Sequence, residues 1–193
     1  MAQGQRLQES LREKLLLAGI EEIQKRGIQN FSLRQVANAC GVSCAAPYKH
    51  FVDKNDLIYS IILYINQQWH DLQASIVAPY AGDPHRQLIE TSMAYIQFLL
   101  DNPQFRSIIM LRDDSMDARA RQAKSQMSQC TQQLIREYCE KVHMPPDVER
   151  RKTYVVRSLI YGAALMLDNG ELPLTPDVME AVRQAISREF ELA

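Results

Sequence analysis

No run of 18 apolar residues occurs in this sequence, so no segment of it is suited to cross a bilayer as a helix. The opening stretch, MAQGQRLQESLREK, holds no apolar signal core, and the expected setting is the cytoplasm. Cysteine is sparse. The four thiols, Cys40, Cys44, Cys130 and Cys139, are expected to be reduced there. Cys40 and Cys44 do not extend into a zinc-finger pattern, and small, partly buried thiols without a metal are the expectation. Seven glycines and eight prolines in 193 residues speak against a low-complexity chain. Catalytic signatures are missing as well. There is no G-x-S-x-G, no H-E-x-x-H and no glycine-rich phosphate loop, so nothing implies a cofactor or an enzyme.

The most informative absence is one of charge. Between Glu22 and Asp53 there is no acidic residue, while Lys25, Arg26, Arg34 and Lys49 are present, with His50 beside them. The whole chain has a formal net charge of −1, which alone argues against a polyanionic partner. The distribution argues for one. An acid-free segment in a near-neutral protein is suited to a face that meets an anion.

What is present is mostly helical periodicity. Leu7, Leu11, Leu15, Ala18 and Ile23 follow helical spacing through residues 5–26, and Gly27 closes that run. Ser32 is placed to cap LRQVANAC, which stops at Gly41. Ser43 is placed to cap a short third helix, and Asp53 a fourth. In the fourth helix Ile58, Ile61, Ile62, Ile65, Trp69, Leu72 and Ile76 recur at intervals of three and four, up to Pro79. Asp83-Pro84 and Asn102-Pro103 each pair a cap with a proline at the first helical position. DDSMD at 113–117 leads into a long helix through Tyr138; it is read as a polar helix start rather than a cation site. Pro145-Pro146 and Thr175-Pro176-Asp177 open the last two helices. No alternating pattern marks a strand. The expected fold is all-α, with about nine helices and a domain boundary between residues 53 and 54.

The segment 32–51, SLRQVANACGVSCAAPYKHF, reads as helix, tight glycine turn and helix. That is a helix-turn-helix, whose second helix enters the major groove of DNA. Pro47 stands where a helical N–H should bond back to the carbonyl of Ser43. Proline has no N–H to give, so the expectation is a shifted start or a loosened first turn. Proline also disfavours helical geometry at Ala46.

In Phe31-Ser32-Leu33, Val36-Ala37, Gly41-Val42-Ser43 and Tyr48-Lys49-His50-Phe51, followed by Lys54 and Leu57, residues 6–65 resemble the N-terminal domain of TetR-type transcriptional regulators. Pro47 departs from the bulky aliphatic residue common at that place in the family. The resemblance implies a helix-turn-helix domain (1–53) joined by a long helix to a helical ligand-binding and dimerisation domain (54–193). It implies a two-fold dimer that represses a promoter and releases it when a small molecule binds.

Candidate roles follow. Lys49 is suited to a base edge or a phosphate. Tyr48 and His50 match positions that donate to phosphates in the family. Ser32 and Lys54 lie at helix N-termini, which favour phosphate, and Arg34 is placed to reach the DNA backbone. Ser43, the expected cap, is counted with the DNA-binding residues, while Cys44, Ala45 and Ala46 offer few hydrogen bonds, leaving thymine methyls and DNA shape to carry much of the specificity. Ile65, Trp69, Met93, Tyr95, Phe98, Met110, Met127 and Tyr161 are candidates for an effector pocket, with ordinary core packing as the competing reading. Val156, Leu159, Ile160, Ala163, Ala164 and Leu167 form an apolar stripe wider than one face requires. With Val182, Ala185 and Ile186 it is expected to form a subunit interface. An apolar or aromatic effector is expected; a DNA-binding protein or adaptor without small-molecule input stays open as the second reading.

Overall fold

The computed structural model describes residues 10–110 and 116–191. They are helical throughout, with no strand among them. Nine α-helices are described: α1 Leu11–Asn30, α2 Leu33–Ala39, α3 Lys54–Val77, α4 Pro84–Asp101, α5 Pro103–Ile109, α6 Ala118–Gln126, α7 Gln129–Lys141, α8 Pro146–Asp168 and α9 Pro176–Glu191. The chain divides into two compact units. One takes in residues 1–66 and 104–124, the other 67–103 and 125–193. The boundary expected before Lys54 therefore falls inside a packing unit.

In the first unit α1 begins at Ser10, whose hydroxyl accepts from Glu13 N at 3.2 Å. Residues 5–9 of the expected helix lie outside the described residues. Its apolar face buries Leu15, Leu16, Ile20 and Ile23 with Val36 and Ala37 of α2 and Phe51, Leu57 and Ile61 beyond. At Gly27 the backbone turns to φ 76°, ψ 158°, and the helix is kinked where the sequence pattern ends it. A β-carbon would be strained at that φ. Asp53 caps α3: its carboxylate accepts from Asp56 N at 2.8 Å, and Asp56 accepts from Val52 N at 3.0 Å. Two acids thus satisfy orphan N–H groups at the entry to the longest helix. Asp53→Ala should cost about 1 kcal/mol, a loss of ~2–4 °C in a melting curve. An unchanged curve would show the cap to be idle.

α6 belongs to the same unit and lies along α3. Asn66 Nδ2 donates to Ala123 O at 2.7 Å, and Arg119 stands 3.7 Å from Asp56 and over the ring of Tyr59. The long helix expected from 117 through Tyr138 is two helices, α6 and α7, separated at Met127-Ser128. Neither glycine nor proline marks that break. Met127 is buried at it. Of DDSMD, residues 113–115 lie outside the described residues; Met116 is buried, and Asp117 caps α6 by accepting from Ala120 N at 2.8 Å.

In the second unit α4 is central and packs against α7, α8 and α9. Leu88, Ile96 and Leu99 fill the middle with Ala164 and Ile186. The end of α9 is held by two donors. Tyr138 Oη donates to Phe190 O at 2.7 Å, and the buried Lys152 ammonium donates to Glu189 O. Cations and hydroxyls at a helix C-terminus satisfy its last carbonyls. His85, whose scattered place in the sequence suggests the surface, instead packs its ring against Tyr138 and Phe190, at 5.3 and 6.3 Å.

Candidate nucleic-acid interface and effector site

The reading turn is built from α2 outward. Ser32 caps α2 through Gln35 N at 3.3 Å, and its hydroxyl donates to the Gln35 side chain at 2.9 Å. Gly41 takes φ 67°, and Val42 N returns to Ala37 O at 3.0 Å, closing a tight turn. The expected third α-helix does not form. Residues Pro47–Lys49 make a single 3-10 turn. The reason is the missing N–H of Pro47. Ser43 O accepts from Ala46 N at 2.9 Å, an i→i+3 bond, in place of the bond that residue 47 cannot donate. Ser43 therefore contributes its carbonyl, and its side chain stays exposed instead of capping. Ala46 is helical all the same, at φ −61° and ψ −43°, against the usual preference before proline. Pro47 itself is buried. Its ring fills the inward place that a bulky aliphatic would take.

This geometry leaves Arg34, Ser43, Cys44, Ala45, Tyr48 and Lys49 exposed, with Ser32, Ala46, His50 and Lys54 partly covered. Tyr48 is 61% exposed, so it does not pack on α1. Lys54 is engaged locally. Its Nζ donates to Gln29 O at 3.0 Å and stands 4.6 Å from the Phe31 ring centre. Partial burial lowers its pKa from the ordinary lysine value. Lys54 ties α3 to the α1–α2 junction. Cys40 gives its thiol to Lys14 O at 3.5 Å, and burial, with Glu21 nearby, raises its pKa. Val52 was not singled out in the sequence; it is a large apolar residue exposed beside the turn.

The aromatic candidates divide. Trp69, Tyr95, Phe98 and Tyr161 assemble in the second unit, with ring centres 4.7 Å apart for Trp69–Tyr95, 5.4 Å for Trp69–Phe98 and 6.3 Å for Tyr95–Tyr161. Tyr95 Oη lies 3.7 Å from Met127 Sδ. Burial and the neighbouring Tyr161 push the Tyr95 phenol well above its usual pKa, so it stays neutral. Met93 is buried on α4. Ile65 and Met110 belong to the first unit, and Met110 is exposed at 43%, which removes it from any interior wall.

The expected interface stripe also divides. Val156, Ile160, Ala163, Ala164, Leu167 and Ile186 are buried within the chain itself, so they cannot be offered to a second copy. Leu159 and Val182 are half-buried, and Ala185 is exposed. Leu165 and Met166 are exposed beside them. The apolar stripe is wide because one half serves the interior and the other half remains outside.

Residues 15–61 match the family described as bacterial regulatory proteins, tetR family. Residues 88–188 match the tetracyclin repressor-like C-terminal domain. The HTH-type transcriptional regulator AcrR of Shigella flexneri is 26% identical over 161 residues, 78% of this chain and 75% of that protein. An HTH-type transcriptional regulator of Staphylococcus aureus strain USA300 is 31% identical over 91 residues, 43% of this chain and 47% of its own length. The chain thus spans about half the length of that second relative. Among solved structures, a TetR family transcription regulator from Marinobacter aquaeolei VT8 superposes with a TM-score of 0.77 at 17% identity, covering 92% of this chain and 94% of that one. The fatty acid degradation regulator FadR from Bacillus halodurans gives 0.70 at 14% identity, covering 96% of each chain. At such low identity these structural likenesses concern the fold.

Proposed function

The chain belongs to the TetR family of bacterial transcriptional regulators, and from that premise we propose that it is a ligand-responsive repressor acting as a homodimer on a near-palindromic operator. The observation that carries the reading is the turn 43–49. Its exposed Tyr48 and Lys49 stand in a segment with no acid between Glu22 and Asp53. The nearest acids, Asp53 and Asp56, are occupied as caps on α3. Negative charge there is already matched to backbone N–H groups, so phosphate meets little repulsion.

The dimer is supported by the half of the α8–α9 stripe that the chain does not cover itself: Leu159, Leu165, Met166, Val182 and Ala185. A two-fold pair of heads reads half-sites about one helical turn, or a multiple of it, apart. Effector release is supported by α3, which gives residues 54–66 to the first unit and 67–77 to the second. A small molecule that reorders Trp69 acts on the helix whose first turn frames the reading turn. A hundredfold loss of operator affinity needs about 2.7 kcal/mol of such coupling.

The test is a gel shift with the DNA upstream of the gene itself. Binding should weaken ~10³-fold or more between 50 and 200 mM salt if six or more phosphates are neutralised. Affinity that does not move with salt would remove the nucleic-acid reading. A screen of small molecules that never releases the DNA would favour the second reading, a regulator without effector.

A further inference from the structure

Two polar side chains inside the second unit are almost fully covered and short of partners. Gln73 of α3 is 1% exposed and Thr91 of α4 is 2% exposed. Gln73 Nε2 donates to Thr131 Oγ1 at 2.9 Å, but Gln73 Oε1 has no hydrogen-bond partner among the described residues. Thr91 Oγ1 has none either. A helical hydroxyl can satisfy itself on the carbonyl one turn earlier. The adjacent Ser92 does so, donating to Leu88 O at 2.7 Å. Thr91 does not.

The two are placed together by the register of their helices. Gln87 Nε2 of α4 donates to Val77 O of α3 at 3.0 Å. Further along, Tyr95 of α4 meets Trp69 of α3 at 4.7 Å. As α4 advances from 87 to 95, α3 retreats from 77 to 69, so the pair is antiparallel. Midway between these two contacts stand Thr91 and Gln73. They stand at the same level of the antiparallel pair, each one helical turn from the Trp69–Tyr95 contact along its own helix.

Resting on the effector reading above, we propose that Gln73 and Thr91 are the polar recognition point of the effector site, and that the effector is a neutral aromatic molecule carrying a hydroxyl or amide. Its ring lies against Trp69 and Tyr95. Its N–H or O–H donates to Gln73 Oε1, and the same polar group pairs with Thr91 Oγ1, which both donates and accepts. Neutrality follows from the surroundings. Trp69, Gln73, Thr91, Thr131 and the un-ionised Tyr95 carry no charge, and a carboxylate placed among them would lose its water without gaining a counterion. Arg157, whose field reaches Tyr95, is itself exposed to water. Burying unmet polar atoms costs stability, and a ligand that completes them recovers that cost only when bound.

Trp69 is the single tryptophan of the chain and lies in the proposed site, so its emission reports binding directly. The full-length protein is titrated with 4-propylphenol, with propylbenzene, which lacks the hydroxyl, and with octanoate. 4-Propylphenol should shift Trp69 emission with an affinity ~10-fold or more above that of propylbenzene, about what one hydrogen bond can supply. Gln73→Leu and Thr91→Val should each remove most of that preference, read as the ratio of the two affinities within the same variant. Thr91→Val should also melt at a higher temperature than the wild type, because an unmet hydroxyl has gone; this arm needs no ligand. Equal affinity for phenol and hydrocarbon, or a preference unchanged in both variants, overturns the proposal. A response of Trp69 to octanoate alone overturns it while leaving the effector reading in place. No response to any probe, with operator affinity unmoved by all three, counts against both.

Discussion

Ala164→Glu is expected to lower the melting temperature by ~10 °C or more, whereas Ala185→Glu should leave the fold intact and shift the protein from dimer toward monomer. The two alanines look alike in sequence, each on an apolar stripe near the C-terminus. Ala164 is 0% exposed and packs in the interior of the second unit, while Ala185 is exposed on α9. A carboxylate at the first place is buried without a partner, at a cost of at least ~3 kcal/mol. That is a large fraction of the ~5–15 kcal/mol that holds a typical domain together. At the second place it meets water in the monomer and would be buried against the partner subunit in the proposed dimer, so the penalty falls on association. Sedimentation and a melting curve on each variant separate the outcomes. If Ala185→Glu stays dimeric at micromolar concentration, the pairing face lies elsewhere. If Ala164→Glu melts with the wild type, the burial described for α8 is wrong.

Lys49→Ala and Tyr48→Ala should each reduce operator affinity about 30-fold with the melting temperature nearly unchanged. A loss of about 1 kcal/mol per head, counted twice in a two-headed complex, gives that factor. Both side chains are exposed, and neither supports the interior. Lys54→Ala is the contrasting case. Its ammonium holds Gln29 O and covers Phe31, so it should lose stability as well as affinity. Wild-type binding by both exposed variants would remove the turn 43–49 from the DNA interface. A melting temperature that falls with affinity in Lys49→Ala would make that residue structural.

Much of this was legible along the chain. Ser32, Asp53, Asp83 and Thr175 all accept from the backbone N–H three residues on, as their place before apolar runs implies. Gly27 and Gly41 both take the positive φ that their positions as stops suggest. These features are local. A cap or a stop needs only the residues within one turn of it, so the sequence carries the whole cause. The helix break at Met127-Ser128 had no such local cause, and the pattern ran straight through it. The 3-10 turn at Pro47 lay between the two cases. The missing N–H was visible, but the helical φ and ψ of Ala46 and the burial of the proline ring depend on what α1 and α3 leave beneath them.

By itself, then, the sequence determined the all-α fold, the cap and glycine turn that bound α2, and the acid-free stretch around them, because each rests on periodicity, capping or charge within a short stretch of chain. Only the tertiary structure decided which half of the α8–α9 stripe remains outside, that Met110 is no interior residue, and that Gln73 and Thr91 are buried with unmet oxygens. Those depend on which neighbour covers each side of a helix. An apolar side chain has the same spacing whether its own chain or a second copy buries it, and an unmet hydrogen bond exists only once the surrounding partners are in place.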